Sequence, residues 1–157
     1  MNIQFRPEEP RDQAFLRGLV TATVTEELGA EAWPEAMRNH LVGMQCSLRL
    51  QSVRSHFPDG ESRIVLIDGD EAGWLYLASL PEELRLVEIM LAGARRNRGA
   101  GTAVVKKVID SAAGKPVRLY VNVMNARATR FYQRLGFRRI AGDEVQHFME
   151  CRPAIPC

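Results

Sequence analysis

The stretch LRLVEIMLAGARRNRGAGTAVV, from Leu84 to Val105, decides how this chain is read. Leu84 to Ala92 is a run of aliphatic residues broken by Arg85 and Glu88, and it reads as a strand. A basic turn follows, then Gly99 and Gly101 separated by one residue, then an aliphatic segment that opens a helix. Elementary chemistry gives such a junction a use. The first amides of a helix have no acceptor within it, and the aligned peptide dipoles add partial positive charge there. Glycines at 99 and 101 let the backbone turn and approach a ligand without a Cβ in the way. A helix start of this kind accepts phosphate. Arg96 and Arg98 add charge and Thr102 adds a hydroxyl.

Two common phosphate loops do not fit. Neither glycine is followed by a lysine and a hydroxyl residue, as a P-loop requires. A dinucleotide loop wants a third glycine where Val104 stands, and an acidic residue after the next strand where the chain has Asn122 and Asn125. Arg96-x-x-Gly99-x-Gly101 after a strand resembles the acyl-CoA pyrophosphate signature of the GNAT N-acetyltransferase superfamily. Alone, that spacing also describes a glycine turn with solvated arginines. A second segment, Leu119 to Phe137, is similar to the other half of the same family's cofactor site. It runs from a strand through Asn125 opening a helix and Ala128 to Phe131-Tyr132 and Leu135-Gly136-Phe137. The resemblance covers about residues 84–137.

The resemblance implies acetyl-CoA as co-substrate and direct transfer of its acetyl group to a primary amine of a small molecule or peptide. The alternative is a non-catalytic acyl-CoA sensor of the same fold. In such enzymes the backbone of Ile89, Met90 and Leu91 would bind the pantetheine arm. The amides of Arg96, Asn97, Arg98, Gly99, Ala100, Gly101 and Thr102 would wrap the pyrophosphate. Asn125 would meet the cofactor arm, and it also suits an ordinary helix N-cap. Tyr132 would return a proton to the departing thiolate, against the competing reading of a core tyrosine beside Phe131. Strict alternation puts Leu84, Leu86, Glu88 and Met90 on one face, so Glu88 is a carboxylate among apolar neighbours and a candidate base. An ion-pair role is its competing reading. His147 and Tyr76 are lesser candidates, and His40 and His56 read as surface residues.

Working outward, Asn2 to Arg6 reads as a strand, and the spacing of Phe15, Leu16, Leu19, Val20, Val24 and Leu28 predicts a helix stopped by Gly29. A second helix starts at Pro34 and carries Met37, Leu41, Met44 and Leu48 toward His56. Arg63–Asp68 and Ala72–Leu80 form a hairpin about Asp68-Gly69-Asp70, and Leu84–Ala92 completes a meander. Gly101–Ala113 is helical, Val117–Met124 a strand, and Asn125–Leu135 a helix. Phe137–Ile140 and Val145–Cys151 form a last strand pair. The expected order is βααβββαβαββ, an α/β single domain over 1–157 with a mixed sheet and helices on both faces.

At 157 residues and a net charge of +2, the chain has no whole-molecule signature for nucleic acid, and it lacks an aromatic ladder. Three cysteines without metal-like spacing argue against a disulfide framework or a metal site. The N-terminus lacks a signal-peptide pattern and no apolar run reaches membrane-spanning length, so the expected location is cytoplasmic without membrane attachment. A homodimer is an expectation from the family alone. Glu26, Glu27, Glu31 and Glu35 hint at a cationic acceptor.

Overall fold

The computed structural model describes residues 1–96 and 99–153. Strand β1 (Ile3–Pro7) leads through a single-turn helix to α1 (Gln13–Leu28). Gly29 closes α1 at φ 62°, where its N–H reaches the Glu26 and Thr25 carbonyls; glycine adopts this left-handed cap without a Cβ penalty. Helix α2 (Glu35–His56) begins after Pro34. Strands β2 (Glu61–Ile67) and β3 (Asp70–Leu80) are joined through Asp68 at φ 52° and Gly69 at φ 86°, the positive pair that tight hairpins need. There follow β4 (Glu83–Leu91), α3 (Ala100–Ser111), β5 (Val117–Asn122), α4 (Ala126–Arg134), β6 (Arg138–Gly142) and β7 (Gln146–Cys151). The order is the one expected, with element ends shifted by a few residues.

The seven strands form one sheet in the order β1-β2-β3-β4-β5-β7-β6, and β4–β5 is its parallel pair. Helices α3 and α4 cover one face, packing Val104, Val105, Val108 and Tyr132 against Leu75, Leu84, Leu86 and Leu119. Helices α1 and α2 cover the other, packing Leu16, Val20, Val24, Val42 and Cys46 against Ile64, Trp74, Tyr76 and Met90. No helix among the described residues is long and apolar enough to cross a membrane.

Two departures from simple periodicity overturn what the sequence led one to expect. In β4, Tyr76 pairs with Glu88 but Leu77 pairs with Leu86, so Val87 is an extra residue, a β-bulge. The bulge resets the alternation, and the expected common face of Leu84, Leu86, Glu88 and Met90 does not exist. Leu84 and Leu86 pack toward α3, while Met90 and Glu88 lie on the α1–α2 side. In α2, the stripe Met37, Leu41, Met44 and Leu48 is not the face the fold buries. Val42, Cys46 and Val53 are buried instead.

Candidate active site

Strands β4 and β5 touch at their beginnings and then part. Among the described residues they pair at Leu84–Val117 and Arg85–Arg118, beside a bond from the Leu84 N–H to the Pro116 carbonyl. Beyond Arg85, β4 stays paired with β3 as far as Leu91, and β5 stays paired with β7 as far as Asn122. The sheet therefore opens into a wedge, and residues 86–91 present one edge of β4 to it without a strand partner. Unpaired backbone groups of this kind need an acceptor or donor from elsewhere. Alternation turns the backbone N–H and C=O of Ile89 and Leu91 to that open edge, while those of Met90 between them face β3.

Helix α3 begins at the wide end. Gly99 is its N-cap at φ 76°, and the first helical bond runs from the Ala103 N–H to the Gly99 carbonyl. The amides of Ala100, Gly101 and Thr102 precede that bond and have no acceptor in the helix. A Cβ on Gly101 would sit 3.4 Å from the Phe131 ring and 3.8 Å from Leu91, so the helix start packs on α4 and on the wedge edge together. The Arg96 guanidinium is committed to Glu26, with bonds of 3.0 and 2.7 Å. Those bonds, with burial opposing, hold the Glu26 carboxyl below its ordinary range. Asn97 and Arg98 lie outside the described residues.

Helix α4 supplies the other side. The Asn125 side chain accepts from the Ala128 N–H at 3.0 Å, so it is an N-cap as its residue type favours. That bond uses the side-chain oxygen and leaves the amide NH2. Seven residues on, Tyr132 is 8% exposed, with Phe131 and Phe137 edge-on at 5.2 and 5.4 Å. No described group hydrogen-bonds its hydroxyl. Because no buried side-chain polar atom among the described residues lacks a partner, that oxygen opens onto accessible space. Burial, and secondarily the negative charge of Glu88, push the phenol above its usual value. The hydroxyl keeps its proton throughout the neutral range.

Glu88 faces Arg49 of α2, which the sequence reading missed. Arg49 Nε donates to one carboxylate oxygen at 2.7 Å and Nη2 to the other at 3.1 Å, while Nη1 donates to Glu27 at 2.7 Å. Burial opposes the guanidinium charge, but Glu88 and Glu27 outweigh it and raise the Arg49 pKa. A signal for Arg49 was present, since it stands seven residues from Val42 and four from Val53, on the inward side of α2. Of the four acidic residues read as a hint of a cationic acceptor, two are engaged: Glu26 by Arg96 and Glu27 by Arg49. Tyr76 is 3% exposed and donates to the Phe57 carbonyl at 2.5 Å, a structural bond. His147 Nδ1 accepts from Arg139 at 3.0 Å on the far strand pair. His40 and His56 are exposed, as expected.

The wedge fits an elongated ligand that presents amides to a strand edge and a diphosphate to a helix start. Known proteins point the same way. A model of the acetyltransferase (GNAT) family matches residues 24–137. The PaiA N-acetyltransferase from Thermoplasma acidophilum, solved with coenzyme A, superposes with a TM-score of 0.70 at 20% identity, over 98% of this chain and 100% of that one. The ribosomal-protein-S18-alanine N-acetyltransferase of Escherichia coli gives 0.66 at 17%, over 99% and 97%. A spermidine N-acetyltransferase chimera of Vibrio cholerae SpeG and hSSAT gives 0.65 at 16%, over 97% and 96%. At these identities the likeness is one of fold. A search of curated proteins found no match. The family match and the wedge agree, and the chain belongs to the GNAT acetyltransferase family, enzymes that take acetyl-CoA as co-substrate.

Proposed function

We propose that this protein, as a single domain over 1–157, transfers the acetyl group of acetyl-CoA directly to a primary amine of a small molecule or peptide. The observation that carries the reading is the parting of β4 from β5 beside the buried Tyr132. The co-substrate supplies an acetyl thioester. The β4 edge at Ile89 and Leu91 binds the pantetheine arm, and the loop from Arg96 to Thr102 holds the pyrophosphate through its amides. The free amide NH2 of Asn125 meets the arm. The amine nitrogen bonds to the acetyl carbon, the C–S bond breaks, and the Tyr132 hydroxyl gives its proton to sulfur. The attacking amine is neutral, the proton its nitrogen sheds as the amide forms passes through water to Glu88, and the Tyr132 phenolate takes a proton back from solvent. Arg49 occupies one direction on each Glu88 oxygen, and a carboxylate has about four lone-pair sites, so a water can still bond there. The amine acceptors named for two structural neighbours, an alanine of S18 and spermidine, support an amine without fixing its size.

The test is release of free thiol from acetyl-CoA across a panel of amines. Turnover with at least one amine, matched by mass gain on that amine, supports transfer. Tight coenzyme A binding with no thiol release for any amine overturns it in favour of an acyl-CoA sensor.

A further inference from the structure

We propose that α2 is a dimerisation helix, which docks antiparallel on the same helix of a second copy of this chain. Met37, Leu41, Met44 and Leu48 are 46%, 38%, 49% and 54% exposed, four large apolar side chains on one helix. At about 100° per residue they fall within one narrow stripe, on the side away from the buried Val42, Cys46 and Val53. The helix is thus apolar on two opposite faces, and this fold uses one of them.

The stripe's own spacing selects the occupant. Its steps are four, three and four, the same read from either end. An antiparallel copy about a two-fold axis therefore sets Met37 against Leu48 of a second copy and Leu41 against Met44 of a second copy. An isologous contact requires such self-complementarity. The flanks allow it too. His40, Gln45, Ser47, Gln51 and Ser52 border the stripe, and Arg38, the one charged residue as near, is held by the Glu31 carbonyl, so two copies meet with little like-charge repulsion. The arginines within this span turn elsewhere: Arg38 to the Glu31 carbonyl and Arg49 to Glu88 and Glu27. A helix lying on a membrane carries several lysines or arginines beside its apolar stripe, and here Arg38 stands alone. One helix pair lies at the small end of protein interfaces, below about 1,200 Å², so the dimer is reversible.

The test is sedimentation velocity over a concentration series, with circular dichroism confirming that each variant is folded. Wild type is expected to move from monomer to dimer mass as concentration rises, while Leu41→Glu and Met44→Lys each remain monomeric. An equimolar mixture of those two variants is expected to recover dimer mass, because the antiparallel register brings positions 41 and 44 together. Wild type that stays monomeric, or a dimer that Leu41→Glu leaves intact, overturns the proposal. Failure of the mixture to dimerise overturns the register. Coenzyme A affinity of Leu41→Glu stays at the wild-type value, which separates this test from that of the active site.

Discussion

Tyr132 is placed by local pattern and tuned by burial. Its ring is held by Phe131 and Phe137, so Tyr132→Phe removes one oxygen and leaves the packing whole. The account predicts a fall in kcat of about 10²-fold, the lower range for a general acid, with coenzyme A affinity unchanged by calorimetry. Unaltered turnover would end that assignment. Because burial raises it above its ordinary value, the Tyr132 phenol stays neutral as pH climbs. Any rate limb below pH about 10 therefore belongs to another group and persists in Tyr132→Phe. Glu88→Gln is expected to lower kcat at least tenfold over the same range, and an unchanged rate would leave Glu88 as the ion-pair residue alone. Asn125 and Tyr132 were legible because a short segment defines them: a cap residue, an aromatic pair and a Leu-Gly-Phe ending. The inward side of α2 marks Arg49 but not its partner, because Glu88 is 39 residues away and reaches it only through a bulge that no local pattern announces.

Elements were read more easily than their faces. Turn chemistry marked the boundaries: Pro10, Gly29, Pro34 and Asp68-Gly69 all stand where the chain changes direction. Alternation failed at Val87, since one inserted residue moves every later side chain to the opposite side of the strand. Periodicity identified α2 through a stripe the fold leaves open, because a helix with two apolar faces gives the same spacing on each. The start of α3 offers a sharper test. Gly99 holds a left-handed conformation at φ 76°, so Gly99→Ala strains the cap by about 1 kcal/mol and tilts the amides that follow. Coenzyme A affinity measured by calorimetry should drop several-fold; an unchanged value would mean those amides do not hold the pyrophosphate. At Gly101 an alanine Cβ meets Phe131 at ordinary contact distance, whereas the branches of a valine press that ring. Gly101→Val is accordingly expected to weaken binding by displacing Phe131, and Gly101→Ala to bind nearly as wild type.

At the scale of the whole molecule, carboxylates paired with arginines set the response to acid. Hydrogen bonds from Arg6 lower the Asp12 pKa to about 2, against the opposing effect of burial. Glu83 and Glu150 are buried, which alone would raise them, but Arg85 and Arg118 around the first and Arg118 and Arg152 around the second bring both below the ordinary range. Carboxyls lowered in the folded state contribute stability above their unfolded pKa and lose it as pH falls through the folded one. Asp12 alone is worth about 2 kcal/mol at neutral pH on that argument, lost between about pH 4 and pH 2. Urea unfolding of Asp12→Asn should show a lower stability at pH 7 and a shallower decline toward acid; parallel pH curves for variant and wild type would contradict the assignment. None of this network was legible from composition, which gives a net charge but not which arginine meets which carboxylate. The wedge between β4 and β5 remains the claim that most of the account requires, and amide hydrogen exchange with and without coenzyme A measures it directly. The prediction is slower exchange on binding at Ile89, Leu91, Ala100, Gly101 and Thr102, with Met90, β2 and β3 unchanged. Saturated binding that leaves those five amides exchanging at their free rate would contradict it.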